Sequence, residues 1–321
     1  MFSDLRKIAV ALGACAWLAS GSAFAQAFPA KPITLVVGFA PGGATDIQAR
    51  ALAQLASKEL GQSIVVENRP GVSGTLGPVT AFQQAAPDGY TLGVLPGTLF
   101  RVPHMMKVSY DPRKDFSYIV NVTSYVYSLS VAQDSRFRSL DDLVAHAKAH
   151  PGKLSFATTG VGGSGHISVM RLAKAAGIEV TAIPYKGAAE AFTAVLGGHV
   201  DFTAEGGFGA LADGGKIRSL GIFSDTRLKS RPTIPTVREQ GLDVVARMTW
   251  GIGGPRGMDP KVVGTLGNAF RKAMNDPSFV QVLEREDQPV AYMSSADYTG
   301  FAARMFDEEG RFVQELRIKA E

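Results

Sequence analysis

The stretch Ile33-Thr-Leu-Val-Val-Gly-Phe-Ala-Pro-Gly-Gly-Ala-Thr-Asp-Ile-Gln-Ala-Arg50 reads as a buried strand, a glycine turn and the start of a helix. Ile33 to Val37 is apolar and β-rich, and Pro41-Gly42-Gly43 interrupts it. Ala49, Leu52, Ala53 and Ala56 then recur at helical spacing. A turn of this kind leaves backbone N–H groups free at a helix N-terminus, where the macrodipole also favours negative charge. The device is friendly to anions, and it recurs downstream.

Outward from this unit the pattern repeats. Ile64 to Glu67 is a short strand, Thr75 to Ala85 a helix, and Tyr90 to Leu95 a third strand that breaks at Pro96-Gly97. Such alternation predicts βαβ crossovers and an α/β fold with mostly parallel sheets flanked by helices. Ile119 to Val131 is a long β-rich stretch suited to carry the chain from one domain into another. Ser139-Leu-Asp-Asp142 predicts a capping box opening a helix to about Ala149. Leu154 to Ala157 is a strand, Thr158 to Gly165 a second glycine loop, and about His166 to Ala176 a helix ended by Gly177. Val180 to Pro184, Val200 to Thr203 and Ser219 to Phe223 predict strands, with a helix over Ala188 to Leu196. Arg247 to Gly253 crosses back, and Asp259-Pro260, Asp276-Pro277 and Ser294 to Asp297 open the closing helices. The boundaries are therefore a first lobe of 28–124 plus 250–321 and a second of 125–249, joined by two strands suited to hinge motion.

Residues 1–25 have the form of a secretory signal. Arg6 and Lys7 precede a short apolar run, and Ala23-Phe24-Ala25 supplies a cleavage site after Ala25. A rival lipoprotein box, Leu12-Gly13-Ala14-Cys15, would instead anchor the chain through Cys15. Cleavage after Ala25 removes two of the 33 basic and one of the 29 acidic side chains, leaving +3, and it removes the single cysteine. Disulfides and thiol chemistry are then excluded, and nothing in the scattered charge resembles a nucleic-acid module.

Several motifs have more than one reading. Gly160-Val-Gly-Gly-Ser-Gly165 matches the dinucleotide fingerprint, but the next strand ends in Tyr185-Lys186 where that motif needs an acid. A tight packing turn and an anion site of backbone N–H groups stay open. Ser164 with His166 suggests an exported hydrolase, although His166 stands where the nucleophile elbow needs glycine; donor roles at a helix N-terminus are the competing reading. His146 and His150, four apart on one helix, have no third ligand nearby and read as a solvated flank. Asp46 either caps the free N–H groups of its own turn or accepts from a ligand donor.

Read together, these segments resemble the extracytoplasmic solute receptors of tripartite tricarboxylate transporters, the Bug-type receptors, from about Phe28 to the C-terminus. The similarity rests on Pro41-Gly-Gly-Ala-Thr-Asp46 with Arg50, Val66-Glu-Asn-Arg-Pro-Gly71, Pro87-Asp-Gly-Tyr-Thr-Leu92 and Tyr110-Asp-Pro-Arg-Lys-Asp-Phe116. Gly160 to His166, Pro184-Tyr-Lys-Gly-Ala-Ala189, Gly197-Gly-His-Val-Asp201 and Pro235-Thr-Val-Arg-Glu239 continue it in order. The resemblance implies a two-lobed periplasmic-binding-protein fold, type II-like, which closes on a small carboxylate and delivers it to membrane permease subunits, with no cofactor, metal or catalysis. A monomer is expected. It implies a first grip of Phe39, Ala40, Pro41, Gly42, Gly43, Thr45 and Asp46, and a second of Thr159, Gly160, Gly162, Gly163, Ser164, Gly165 and His166. Pro96, Gly97, Thr98, Lys186 and Gly187 form the rim, and Lys186 or Arg101 would add charge. Glu205 departs from the expected pattern. It either suits a ligand bearing an amino or hydroxyl group and disfavours a second bare carboxylate, or it caps the next helix or faces water. A receptor that feeds a signalling partner would have the same fold.

Overall fold

The computed structural model describes residues 28–246, 248–285 and 287–316. The signal-peptide cleavage site and Cys15 lie outside the described residues. The opening stretch forms strand β1 (Ile33–Val37) and helix α1 (Ala44–Leu60). Ala49, Leu52, Ala53 and Ala56 are all buried, as their helical spacing requires. Each fully buried leucine of this kind contributes roughly 2–3 kcal/mol.

Two sheets organise the chain. The first has the order β11-β4-β10-β3-β1-β2, built from β2 (Ile64–Asn68), β3 (Thr91–Pro96), β4 (Phe116–Tyr125), β10 (Met248–Pro255) and β11 (Val290–Met293) around β1. The second has the order β7-β6-β8-β5-β9, from β5 (Ser128–Ala132), β6 (Leu154–Thr158), β7 (Val180–Pro184), β8 (Phe202–Glu205) and β9 (Ile217–Ile222). Helices α2 (Leu76–Gln84), α3 (Thr98–Arg101), α8 (Pro260–Met274), α9 (Pro277–Arg285) and α10 (Ser295–Leu316) belong to the first half. Helices α4 (Leu140–Ala149), α5 (Ser164–Ala176), α6 (Ala188–Leu196) and α7 (Gly209–Asp213) belong to the second.

The expectation of mostly parallel sheets holds for three strands in each. β2, β1 and β3 are parallel, as are β7, β6 and β8. Strand β10 runs antiparallel to β3 and β4, and β5 runs antiparallel to β8 and β9. The reason is where each strand starts. β1, β3, β6 and β8 run toward the cleft, whereas β5 and β10 have just crossed between the sheets and run away from it. The β-rich stretch after Ile119 is thus two strands in two sheets, and the chain crosses between Tyr125 and Ser128. It returns between Ile222 and Met248, where Phe223 N–H donates to Tyr127 O at 2.9 Å and Ala246 N–H to Phe223 O at 2.9 Å. The short elements α3, α7 and β11 have no counterpart in the sequence reading.

Helix termini follow the local signals. Ser139 and Asp142 make the capping box, Asp259 caps α8 through Lys261 N–H, and Gly177 ends α5 in the left-handed conformation at φ 66°. Among the described residues no helix is long and apolar enough to cross a membrane.

Candidate functional site between the lobes

The ends of β1, β3, β6 and β8 meet around a cavity of ≈ 40 Å³. That is room for on the order of three water-sized groups. Phe39, Ala40, Gly43, Ala44, Thr45, Ser73, Pro96, Gly97 and Thr98 line it from the first lobe. Tyr125 and Tyr127 line it from the crossing strand, and Thr159, Ser164, Ala188, Glu205 and Gly206 from the second lobe. A wider mouth of ≈ 630 Å³ adjoins it, lined by Val72, Ser73, Thr159, Gly160, Val161, Tyr185 and Lys186 among others.

Three helices of nine or more residues begin at this cavity: α1 at Ala44, α5 at Ser164 and α6 at Ala188. Their N-caps are Gly43, Gly163 and Gly187, and none has a side-chain cap. Short α3 begins there too, behind Gly97. Glycine at an N-cap leaves the first-turn N–H groups to whatever enters the cavity. The first turns of α1 and α6 face one another across the cleft. A Cβ placed on Gly43 would stand 3.8 Å from Ala188 N and 3.9 Å from Ala189 N, and one on Gly187 would stand 3.5 Å from the Ala40 Cβ.

Asp46 resolves as a support. Its carboxylate accepts from Gly42 N–H at 3.0 Å, from Arg50 Nε at 3.0 Å and from Asn68 Nδ2 at 2.8 Å. Asn68 Nδ2 also donates to Phe39 O at 3.0 Å, and Arg50 Nη2 to Asn68 Oδ1 at 2.7 Å. This network ties the loop 39–43 to the end of β2. Burial alone would raise the Asp46 pKa, but the bonds from Arg50, Gly42 and Asn68 outweigh it and hold the carboxyl below its usual range. Asp46 does not line the cavity, nor do Pro41 and Gly42, which are exposed.

Glu205 has the opposite environment. It is 3% exposed, lines the cavity, and its Oε1 accepts from Thr159 N–H at 2.9 Å. Among the described residues no cation pairs with it, and burial pushes its carboxyl up to about 7, against the bonds from Thr159 and Thr158. A Cβ on Gly165 would stand 2.1 Å from Ala204 O and 2.7 Å from Glu205 Oε1, so only glycine lets the end of β8 approach the first turn of α5 so closely. The Thr159 N–H expected to grip a ligand is already engaged by the protein's own carboxylate.

Of the second grip, Thr159 and Ser164 line the cavity, Gly160 lies at the mouth, and Gly162, Gly163, Gly165 and His166 shape the loop behind. His166 is a correction to the donor reading. It is buried against Phe156, and its Nδ1 accepts from Gly162 N–H at 3.4 Å. Burial, then the nearby Arg101 charge, lowers its pKa to about 4, so it is neutral at physiological pH. The Ser164 hydroxyl lies beside Tyr127, and the His166 Nδ1 is taken by Gly162 N–H rather than by Ser164. Arg101 also turns away from the cavity. It pairs with Glu309 on α10 at 2.9 Å and donates to Gly162 O at 2.8 Å, bridging the lobes from behind. Lys186 is exposed at the mouth and Gly187 sits against Ala40.

Ser73, Tyr125, Tyr127, Ala44, Ala188 and Gly206 were missed by the sequence reading. Tyr125 hydrogen-bonds Thr45 through its hydroxyl, and Ser73 Oγ donates across the cleft to Val161 O at 3.0 Å. The alternation Tyr125-Val126-Tyr127, which puts two hydroxyls on one side of an extended crossing segment, was the available signal. His146 and His150 stack with ring centroids 4.3 Å apart, and no group of metal-binding side chains occurs among the described residues.

Two sheets with crossing strands and a cleft at the strand ends define a solute-binding protein of the periplasmic type. BugD, a periplasmic binding protein of known structure, superposes with a TM-score of 0.87 at 26% identity, over 92% of this chain and 100% of that one. MatC from Rhodopseudomonas palustris with bound malate gives 0.83 at 27% identity, over 89% and 100%. A Cupriavidus necator protein encoded in the gbd 5′ region is 40% identical over 304 residues, 94% of this chain and 93% of that protein. The tripartite tricarboxylate transporter family receptor profile matches residues 48–318. The chain belongs to that family of solute receptors.

Proposed function

We propose that the cavity captures a small carboxylate between the lobes, without catalysis, and that the closed receptor, a monomer, delivers it to the membrane permease subunits of its transporter. The rigid bodies in this reading are 28–124 plus 250–321 and 125–249, and the mature protein begins after Ala25 in the periplasm. The observation that carries it is the set of glycine N-caps: helices from both lobes start at one cavity with no side-chain caps. A carboxylate bridging α1 and α6 interacts with both only when the lobes are closed, and that differential affinity drives closure. The malate bound by MatC supports the ligand class.

A thermal-shift screen of carboxylates tests the reading. A ligand at a hundred times its dissociation constant adds about 2.7 kcal/mol, a rise of several degrees. Gly43→Val removes the response: Gly43 has φ −82° and ψ 166°, which valine tolerates, but its methyl groups fill the gap between α1 and α6. Unchanged affinity in a folded Gly43→Val protein would place the site elsewhere.

A further inference from the structure

We infer that Glu205 selects the ligand: the receptor takes carboxylates that carry a hydrogen-bond donor, a hydroxyl or an amino group, next to the carboxylate, and rejects plain dicarboxylates. The inference rests on the carboxylate-capture reading above and gives the ligand an orientation. Glu205 already lies against the first turn of α5, where Gly165 admits it, and takes the Thr159 N–H at the end of β6. The helix starts that face one another away from Glu205 are those of α1 and α6, so the ligand carboxylate goes between Gly43 and Ala188. Its substituent then faces Glu205, Ser164 and Tyr127.

Charge fixes what that substituent is. Among the described residues that line the cavity, Glu205 is the one formal charge. Arg101 is engaged by Glu309 and Gly162 O, and Lys186 is exposed at the mouth. The uncapped helix ends compensate one ligand carboxylate. A second carboxylate would meet Glu205 with no cation to separate them, whereas a hydroxyl or ammonium donates to it. Serine, threonine and tyrosine hydroxyls can turn to either role, but an ionised carboxylate only accepts. Glu205 therefore sets the polarity of the pocket.

The test is calorimetric titration at pH 8 with matched sets of three to six carbons, each holding the plain acid, the 2-hydroxy acid, the 2-amino acid and the dicarboxylate. Propionate, lactate, alanine and malonate are the smallest set. The expected result is at least tenfold tighter binding of a hydroxy or amino acid than of the plain acid and the dicarboxylate of the same length. Glu205→Gln should erase that advantage and tighten the dicarboxylate at least tenfold. If the variant fails to fold, the wild-type protein at pH 5.5, with Glu205 protonated, should shift toward the dicarboxylate in the same way. A dicarboxylate that binds as tightly as its hydroxy and amino counterparts to wild-type protein at pH 8 overturns the inference and leaves carboxylate capture standing. No binding of any carboxylate overturns both.

Discussion

The two glycine turns of this protein read alike in sequence and carry acids of opposite character. In the first, Asp46 sits three residues behind Gly43 and is locked to Gly42, Arg50 and Asn68, with its pKa lowered. In the second, Glu205 arrives from β8, forty residues after the turn, pairs with no cation among the described residues, and has its pKa raised to about 7. The first acid shapes the loop in front of α1, whose first-turn N–H groups carry no side-chain cap at the cavity. The second enters the cavity itself. A carboxylate at a helix start is thus structural or ligand-directed according to whether a cation has already claimed it.

The largest expected effect separates the two acids by sign. An acid whose folded pKa is raised favours folding most below its unfolded value of 4.5, and that contribution is lost as pH rises through about 7. Glu205→Gln should therefore leave stability unchanged near pH 4 and raise it at pH 8 by up to roughly 3 kcal/mol. Urea unfolding of the ligand-free proteins at both pH values measures this. Other cavity groups do not interfere between pH 5 and 8. Burial drives Tyr125 and Tyr127 well above the usual tyrosine range, and His166 stays neutral down to about 4. A variant no more stable than wild type at pH 8 would mean that Glu205 is solvated or paired.

Asp46→Ala should act in the opposite direction. It removes the acceptor of Gly42 N–H and of one Asn68 donor and leaves Arg50, half exposed, without its carboxylate. The expected loss is roughly 2 kcal/mol at pH 7, read from urea midpoints. Because the Asp46 pKa is lowered, this difference should shrink as pH falls below the usual carboxylate range and wild-type Asp46 itself protonates. Equal stability of the two proteins at pH 7 would remove the contrast between the turns.

What was legible in the sequence was local. β1 and α6 have their expected limits, and the capping box at Ser139 and the prolines at 260 and 277 fix helix starts because their partners lie within four residues. The fate of the two acids was not local. Asp46 depends on Asn68, twenty-two residues away, and Glu205 on Thr159, forty-six away, so periodicity and turn chemistry left both open. Whether Arg101 charges the cavity was left open for the same reason, since its partner Glu309 lies 208 residues further on. Ala188 and Ala44 line the cavity through helix position rather than side-chain chemistry, which leaves no mark in composition.

The smallest expected effect concerns capping itself. The cavity-facing ends of α1, α5 and α6 have glycine caps, whereas α4, α8 and α10, which begin away from the cavity, have Ser139, Asp259 and Ser294 accepting from N–H groups of their first turns. If the open ends are kept for a ligand, supplying a cap should exchange binding for stability. Gly43→Ser places a hydroxyl where it accepts from the first turn of α1, and serine exceeds glycine at an N-cap by only a few tenths of a kcal/mol. The expected outcome is a slightly higher melting temperature together with weaker carboxylate binding, because the same N–H groups cannot serve both acceptors. Ser139→Ala is the counterpart in α4. It should lower stability by about 1 kcal/mol and leave affinity unchanged, since that helix start has no contact with the cavity. A Gly43→Ser protein that binds carboxylates as well as wild type would show that the α1 N–H groups are not the ones the ligand uses.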